Sequence, residues 1–311
     1  MDPVTHGLAG AVLAQAGFRQ RYGYQATLAL TAGALVPDID ILWSPAGSVL
    51  ALETHRGISH SFAGALGLAA ALGLVVRFLG PEKRWGRLSA ICLLGIVAGH
   101  LFLDLITSYG IQLYLPFSNA RPALDLVFIV DPFLTVPLVG ALVCGLVWRR
   151  AGALIGRVAL GTVMLYLVIA WFNHAAAVTR LDQALRSGGI TPRRVDALPW
   201  PLNPFRWQGF AEDGDRYWSG DIRLRQGSIA LTSIAKGPEN GLVARAREHK
   251  DVRTFLWFAR FPVVDFRQDD GHSVVEYRDL RFAHSLRRSS PFVLRVILSP
   301  SGEVERVLFS R

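Results

Sequence analysis

Residues 100–110, HLFLDLITSYG, end an apolar run that begins near Leu88 and is long enough to cross a membrane as a helix. His100 and Asp104 are four residues apart, so on a helix they lie one turn apart on the same face. Ionisable groups inside an apolar helix are costly and usually face a cavity or a partner. A histidine and a carboxylate at this spacing form half of a metal site; the alternative is a buried pair that only joins two helices.

The composition divides the chain into an apolar part and a more polar part. Of the 311 residues, 51% are hydrophobic and 18% are charged, whereas soluble domains carry about 25% charged residues. Apolar residues dominate up to Phe172, and charged residues become frequent after Arg180. We therefore predict a helical membrane domain at residues 1–178, a proline-rich linker at 179–210 and a soluble β domain at 211–311.

The positive charge fits a membrane protein better than a nucleic-acid-binding protein. The net charge is +9, and the basic residues of the apolar part stand mainly at the ends of its hydrophobic segments, where they contact lipid headgroups. We therefore expect membrane lipids, and not nucleic acid, as partners. Cys92 and Cys144 lie in apolar runs and are expected to be core residues, not a disulfide or a zinc pair.

The order of apolar and basic segments predicts a topology. Apolar segments at 3–17, 26–43, 62–79, 88–106, 127–148 and 154–172 predict five or six helices. Basic residues fall in alternate loops, at 19–21, 77–87 and 149–157. By the positive-inside rule these loops are cytoplasmic, so both the amino terminus and the C-terminal domain are expected on the outer face of the cytoplasmic membrane.

This topology gathers acidic and histidine side chains at the same, outer face. They are Asp2, His6, Asp38, Asp40, His55, His60, His100, Asp104, Asp125, Asp131 and His174. Histidines with separate structural roles would not be expected to collect on one side of a membrane. The pattern therefore favours a shared metal or catalytic centre over a set of unrelated buried pairs.

The residue types indicate a divalent metal. Imidazole and carboxylate together suit Zn²⁺, and also Mn²⁺ or Fe²⁺. The candidates outnumber what one tetrahedral ion needs, so we expect more than one ion, joined by a shared carboxylate. Asp38 and Asp40 are two residues apart, and this spacing suggests one ligand and one orienting or helix-capping group. Such a centre activates a water for attack on a phosphoester or acyl group.

Four further residues are candidates for catalysis beside the metal: Asp38, His55, Arg56 and Thr107. His55 could be a ligand or could bind substrate. Arg56 could neutralise a phosphate, although an arginine in a loop at a membrane face is also an ordinary headgroup contact. Thr107 could equally be a residue that ends the helix. Asp125 and Asp131 could be outlying carboxylates, and Asp131 before Pro132 is also typical of a helix N-cap.

The C-terminal part predicts a small, mostly antiparallel β domain. Short runs with strand character alternate with turn signals at Gly214, Gly227 and Gly302. The predicted strands are 217–224, 228–234, 254–261, 263–267, 273–278, 280–282, 292–298 and 304–310.

Four motifs occur in a fixed order: DPVTH at 2–6, PDID at 37–40, HRGISHS at 55–61 and HxxxDxxTSYG at 100–110. Together they resemble the YdjM/YbcI family of inner-membrane proteins, described as membrane-bound metal-dependent hydrolases, over about residues 1–175. That family is in turn held to be remotely similar to the zinc-dependent phospholipase C and S1/P1 nuclease superfamily. The resemblance implies the ligand set His6, Asp40, His60, His100 and Asp104.

The sequence thus supports two main hypotheses. The first is a membrane-bound hydrolase that uses a metal-activated water on a phosphoester in a lipid or lipid-linked substrate. The second is a non-enzymatic regulatory or scaffold protein in which the cluster is structural. A transporter would need polar residues through the whole membrane depth, whereas these are confined to one side.

Overall fold

Helices make up the N-terminal part of the chain. The computed structural model describes residues 1–44, 47–269, 271–282 and 292–310. In order, the helices are α1 (Pro3–Leu13), α2 (Arg19–Tyr22), α3 (Tyr24–Leu35), α4 (Leu50–Thr54), α5 (Phe62–Val76), α6 (Trp85–Ile96), α7 (Phe102–Leu105), α8 (Pro132–Val147) and α9 (Gly152–Ser187). A π-helical turn, Val97–Leu101, joins α6 to α7, and a 3₁₀ segment, Val36–Leu42, extends α3.

Several helices are suited to cross a membrane. Within the described residues, Tyr24–Leu42, Trp85–Leu105 and Arg149–Ser187 are long and apolar enough, and the pair Leu50–His60 and Phe62–Val76, bent by 63°, would add a fourth span. Helix α8 is apolar but has 16 residues, and α1 has 11. The predicted helical membrane domain is confirmed, and the expected five or six helices agree roughly with this count.

Local sequence explains where the helices near the polar residues begin. Asp2 caps α1 by accepting the Thr5 amide at 2.9 Å. Asp131 caps α8 in the same way, accepting the Phe133 amide at 2.8 Å, which confirms its predicted capping role. Each cap is followed by a proline at the first helical position, where the missing amide leaves no intrahelical bond unmade.

Small residues let α1, α3 and α6 approach closely. A Cβ added at Gly10 would lie 2.5 Å from the Leu30 carbonyl oxygen, and one at Gly95 would lie equally close to the same oxygen. Such contacts are too short for any side chain, so glycine is required where these backbones cross. The crossing brings the His6 ring of α1 onto the His100 ring of the α6 extension, with centroids 3.9 Å apart.

The C-terminal part contains two four-stranded antiparallel sheets, which confirms the predicted β domain. The first consists of β1 (Arg194–Trp200), β2 (Asn203–Asp213), β3 (Arg216–Arg223) and β4 (Leu231–Ala235), paired in that order. The second consists of β5 (Pro262–Asp269), β6 (His272–Asp279), β7 (Val293–Leu298) and β8 (Val304–Ser310), also in order. Between the sheets lie α10 (Gly241–Glu248) and α11 (Lys250–Phe258).

The structure corrects two of the predicted strands. Most of 254–261 belongs to α11, because Val252, Phe255 and Phe258 recur every three residues and bury one helical face against the second sheet. Leu280–Phe282 is a 3₁₀ turn. The stretch predicted as a linker, 179–210, holds the end of α9, the whole of β1 and the first residues of β2.

The C-terminal part packs directly on the segment that follows α7. The Tyr109 ring lies 5.1 Å from that of Phe258, and Arg281 donates to the Ser108 carbonyl oxygen at 2.9 Å. Arg260 makes two hydrogen bonds of 2.9 and 2.8 Å to the carboxylate of Asp125. The β domain is thus joined to the same segment that carries the 100–110 motif.

Candidate metal centre

Four side chains from three separate segments converge on one point. They are Asp38, His60, His100 and Asp104, each offering one ligand atom within 4.8 Å of the others. His60, His100 and Asp104 have no solvent exposure, whereas the side chain of Asp38 is 25% exposed. The Nε2 atoms of His60 and His100 are 2.9 Å apart.

The spacing of these atoms suits a metal ion. His60 Nε2 lies 3.3 Å from Asp104 Oδ2 and 3.5 Å from Asp38 Oδ1; His100 Nε2 lies 3.5 and 3.6 Å from the same two oxygens. In a tetrahedral site with bonds of about 2.1 Å, ligand atoms are about 3.4 Å apart. The two histidines and two carboxylates therefore fit a divalent ion such as Zn²⁺ in type and in spacing.

Hydrogen bonds at Nδ1 of His100 and His6 determine which ring nitrogen of each histidine faces the centre. His100 Nδ1 lies 2.7 Å from the Ala34 carbonyl oxygen, and His6 Nδ1 lies 2.9 Å from that of Gly99. A carbonyl oxygen can only accept, so each Nδ1 carries the proton and each neutral ring presents the lone pair of Nε2 inward. Metal-binding histidines are commonly oriented by such a bond on the far nitrogen.

Two buried acceptor atoms at the centre have no hydrogen-bond partner within the described residues: His6 Nε2 and Asp104 Oδ2. Buried polar atoms are almost always paired, and unpaired ones call for an explanation such as an ion. His6 Nε2 is 3.4 Å from Asp104 Oδ1. His6 thus lies beside the four converging residues, in contact with the same carboxylate.

A second group of possible ligands shares Asp38 with the first. It comprises Asp38, Asp40 and His55. The Asp40 carboxylate is already engaged: Oδ1 is 2.9 Å from His55 Nδ1, while Oδ2 accepts the Arg56 amide at 2.9 Å and the Ser59 hydroxyl at 3.0 Å. Asp40 therefore orients the 55–60 loop, and Asp38 is the neighbour whose carboxylate reaches both groups.

Positive groups surround the innermost carboxylate. Arg56, 3% exposed, places Nη2 2.8 Å from Asp104 Oδ1, and its Nη1 lies 3.4 Å from the Thr107 hydroxyl. The amino group of Met1 is also buried against Asp104. Thr107 donates to the Asp104 carbonyl oxygen at 2.8 Å. These contacts offset part of the negative charge that three buried or half-buried aspartates bring to the centre.

The backbone departs from regular α-helix at four of the candidate ligands. His100 lies in the π-helical turn, Asp38 and Asp40 in the 3₁₀ segment, and His60 in the short 3₁₀ turn Ile58–His60. Arg56 has a φ of 59°, which is uncommon for a residue with a side chain. π turns and strained backbone recur at functional sites because they aim side chains that a straight helix cannot.

The structure separates the predicted residues into two sets. His6, Asp38, Asp40, His55, Arg56, His60, His100, Asp104 and Thr107 are gathered around the centre. Outside it lie Asp125, which pairs with Arg260, Asp131, which caps α8, and His174, whose ring contacts Trp207. The individual roles assigned from the sequence remain predictions.

The contacts of two further participants do not follow from the sequence pattern. The Ser59 hydroxyl donates to Asp40, and this bond depends on the turn of the loop. Tyr109 lies with its ring 4.8 Å from the Arg56 guanidinium and 5.9 Å from the His55 ring, and it links both to the β domain. Its place beside Thr107 and Ser108 in the motif is the signal that could have pointed to it.

Comparison with known proteins covers both parts of the chain. The model of the YdjM inner membrane protein family matches residues 1–177, and that of the YfhP C-terminal alpha/beta plait domain matches residues 241–309. The uncharacterized protein YfhP of Bacillus subtilis (strain 168) is 23% identical over 297 residues, which cover 91% of this chain and 87% of that protein. No solved structure matched, so the expected similarity to zinc-dependent phospholipases stays a prediction from the sequence.

Proposed function

The chain belongs to the YdjM inner membrane protein family, and we propose that it is a membrane-bound metal-dependent hydrolase. Its substrate would be a phosphoester in a lipid or a lipid-linked molecule. The membrane family and the cluster of possible ligands support a metal-dependent membrane protein; the hydrolytic reaction and the substrate are the proposed part.

One observation carries the proposal of a metal. The Nε2 atoms of His60 and His100 are 2.9 Å apart, and the bond from His100 Nδ1 to the Ala34 carbonyl oxygen leaves the inner nitrogen of His100 without a proton in the neutral ring. His60 Nδ1 is 2.9 Å from the Ser59 hydroxyl and 3.3 Å from the Asp40 carboxylate, which favours the same tautomer. A proton on one nitrogen, or a divalent cation bound between the two nitrogens and the two carboxylates beside them, would account for this short distance, and we propose the cation.

The residues divide into ligands and groups that act on substrate. We propose His6, His60, His100 and Asp104 as ligands of more than one ion, with Asp38 shared between the ions and Asp40 either as a further ligand or as the group that orients the 55–60 loop. A divalent ion held there would act as a Lewis acid, lowering the pKa of a bound water and stabilising charge on phosphoryl oxygens.

Asp38 and His55 are the groups that can meet substrate. Their side chains are 25% and 19% exposed, whereas the groups beneath them are buried. His55 Nδ1 lies 2.9 Å from Asp40 Oδ1, which fixes its ring, so His55 suits the role of proton donor to a leaving oxygen. Arg56 would hold Asp104 in place and add positive charge near the transferred phosphoryl group. Thr107 would position Arg56.

The surroundings of Asp38 support a lipid substrate. The neighbouring side chains Ile41 and Leu42 are 67% and 77% exposed, and Ile58 and Phe62 are also exposed. Exposed apolar side chains on membrane helices face acyl chains. A substrate whose headgroup reaches Asp38 would therefore keep its tails in the bilayer. From the distribution of basic loops, we further propose that this face is the outer one.

The proposal is tested with protein purified in detergent and loaded with Zn²⁺ or Mn²⁺. Phospholipids and isoprenoid phosphates are offered, and released phosphate or phosphorylated headgroup is measured. Asp38→Asn should lower turnover at least a hundredfold and also weaken metal binding, because it retains the shape of the side chain but removes the charge of the shared carboxylate. The control is His272→Ala, which removes a half-exposed histidine of the second sheet, and it should leave turnover unchanged.

The outcomes distinguish the enzyme from a structural metal protein. Turnover that requires the metal and falls in Asp38→Asn supports the hydrolase. Bound metal without turnover of any lipid phosphoester, together with loss of folding when the metal is removed, would overturn the hydrolase and support the regulatory or scaffold protein.

A further inference from the structure

An exposed loop of the first sheet lies level with the end of the apolar run of α9. The β1–β2 hairpin turns at Pro201 and Leu202, and Asn173 of α9 donates to the Pro204 carbonyl oxygen at 3.0 Å. Asn173 directly follows the apolar run of α9, which ends with the exposed Trp171 and Phe172. Aromatic residues at the end of an apolar helix mark the membrane interface, so the hairpin tip lies at that level.

The tip itself carries apolar side chains that face outward. Leu202 is 67% exposed and Phe205 is 38% exposed. Leu202 has a φ of 59°, a conformation that a leucine rarely adopts. An exposed leucine side chain makes no stabilising apolar contact in water, whereas beside a bilayer it would contact the acyl boundary.

Four arginines are grouped behind this tip. Arg206 and Arg223 share the carboxylate of Asp221, at 2.8 and 3.1 Å. Arg180 donates to two backbone carbonyl oxygens, and Arg225 stacks 4.5 Å over the Phe205 ring. Among the described residues, no carboxylate pairs with Arg180 or Arg225 in the structure. The cluster is therefore strongly positive.

The arginines border a recess large enough for a phosphate-bearing headgroup. A cavity of about 360 Å³ is lined by Asn203, Phe205, Arg206, Arg223, Arg225 and Gln226. Partial burial would raise the pKa of Asp221, but hydrogen bonds from Arg206 outweigh this and hold its pKa below the ordinary value. The carboxylate of Asp221 stays ionised at neutral pH and orients the guanidinium groups of Arg206 and Arg223. The guanidinium groups of Arg180 and Arg225 can therefore bind an anion.

We propose that this recess binds the headgroup of an anionic phospholipid while Leu202 and Phe205 enter the acyl boundary. Guanidinium groups bind phosphate in a planar, two-bonded manner. The position at the end of the apolar run of α9 indicates the ligand, because headgroups of the surrounding bilayer already lie at this level. The site would fix the first sheet against the membrane, and it shares no residue with the metal centre.

The test measures headgroup preference in detergent-purified full-length protein. Short-chain phosphatidylglycerol and phosphatidylcholine are titrated separately, and binding is followed by tryptophan fluorescence. Each arginine near a membrane surface contributes about 1 kcal/mol, which is about fivefold in affinity. Arg223→Gln with Arg225→Gln should therefore weaken phosphatidylglycerol binding roughly 25-fold and change phosphatidylcholine binding little. Arg306→Gln, on the exposed strand β8, is the matched control.

Two further variants keep the proposal falsifiable. Arg225→Lys should retain part of the preference, because the charge is kept and the planar group is lost. Leu202→Ser should weaken both lipids without changing the preference between them. Equal preference in wild type and in the double arginine variant would overturn the proposal. So would displacement of phosphatidylglycerol by equimolar inorganic phosphate, which would indicate a free-anion site.

Discussion

Replacing Gly95 by alanine should weaken metal binding indirectly, by separating helices α3 and α6. A Cβ at this position would lie 2.5 Å from the Leu30 carbonyl oxygen, whereas ordinary contact begins at 3.4 Å. The obstacle is backbone, so α3 and α6 must separate by about 0.9 Å. If they move as rigid bodies, the bond from His100 Nδ1 to the Ala34 carbonyl oxygen, now 2.7 Å, lengthens to about 3.6 Å and is lost.

Two quantities follow from this displacement. Losing the hydrogen bond that orients a metal-binding histidine typically costs tenfold to a hundredfold in metal affinity. Overpacking a helix crossing should lower the free energy of unfolding by about 1–3 kcal/mol. Zinc affinity is measured by competition with a fluorescent chelator in detergent, and stability is measured by thermal unfolding.

The matched control is Gly86→Ala on the same helix, where an added Cβ meets no atom within 4 Å. It should leave zinc affinity unchanged and should not lower the free energy of unfolding. Equal zinc affinity in the two variants would refute the reasoning that close packing of α3 and α6 holds the centre together.

Two further substitutions test separate contacts. Asp40→Asn should weaken metal binding tenfold to a hundredfold, because an amide cannot accept all the bonds that the carboxylate takes from the 55–60 loop; unchanged affinity in calorimetry would show that Asp40 does not orient the loop. Asp125→Asn should lower the free energy of unfolding by about 2 kcal/mol and leave metal affinity intact, because it removes a largely buried partner of Arg260. A shift in metal affinity in this variant would mean that docking of the β domain shapes the centre.

The elements around the centre could be predicted in part from the sequence. The four-residue spacing of His100 and Asp104 placed them on one face, and the structure has their side chains 3.5 Å apart even though a π turn intervenes. Because basic loops alternate along the chain, the positive-inside rule placed the other candidates at one end of the helices. Both inferences depend on local spacing and on the membrane as a barrier, which a sequence displays directly.

Finer assignments depended on tertiary contacts. Asp38 and Asp40 could not be distinguished by spacing, because in the 3₁₀ segment both stay near the centre and the loop from His55 to His60 decides which carboxylate is engaged. The burial of Arg56 against Asp104 was likewise not predicted, since an arginine in a loop is ordinarily solvated. In the β domain, aromatic residues at 254–261 suggested a strand by composition, whereas their threefold spacing fits α11.

The central claim is that these residues bind a divalent metal, and elemental analysis tests it most directly. Wild type, His100→Ala, Asp104→Ala and the control His272→Ala are purified in detergent, reconstituted with Zn²⁺ or Mn²⁺ and freed of loose ions before measurement. We predict at least one bound ion per chain in wild type and in the control, and loss of metal in the His100 and Asp104 variants. Folded wild type without metal after reconstitution, or equal metal in all four proteins, would contradict the account.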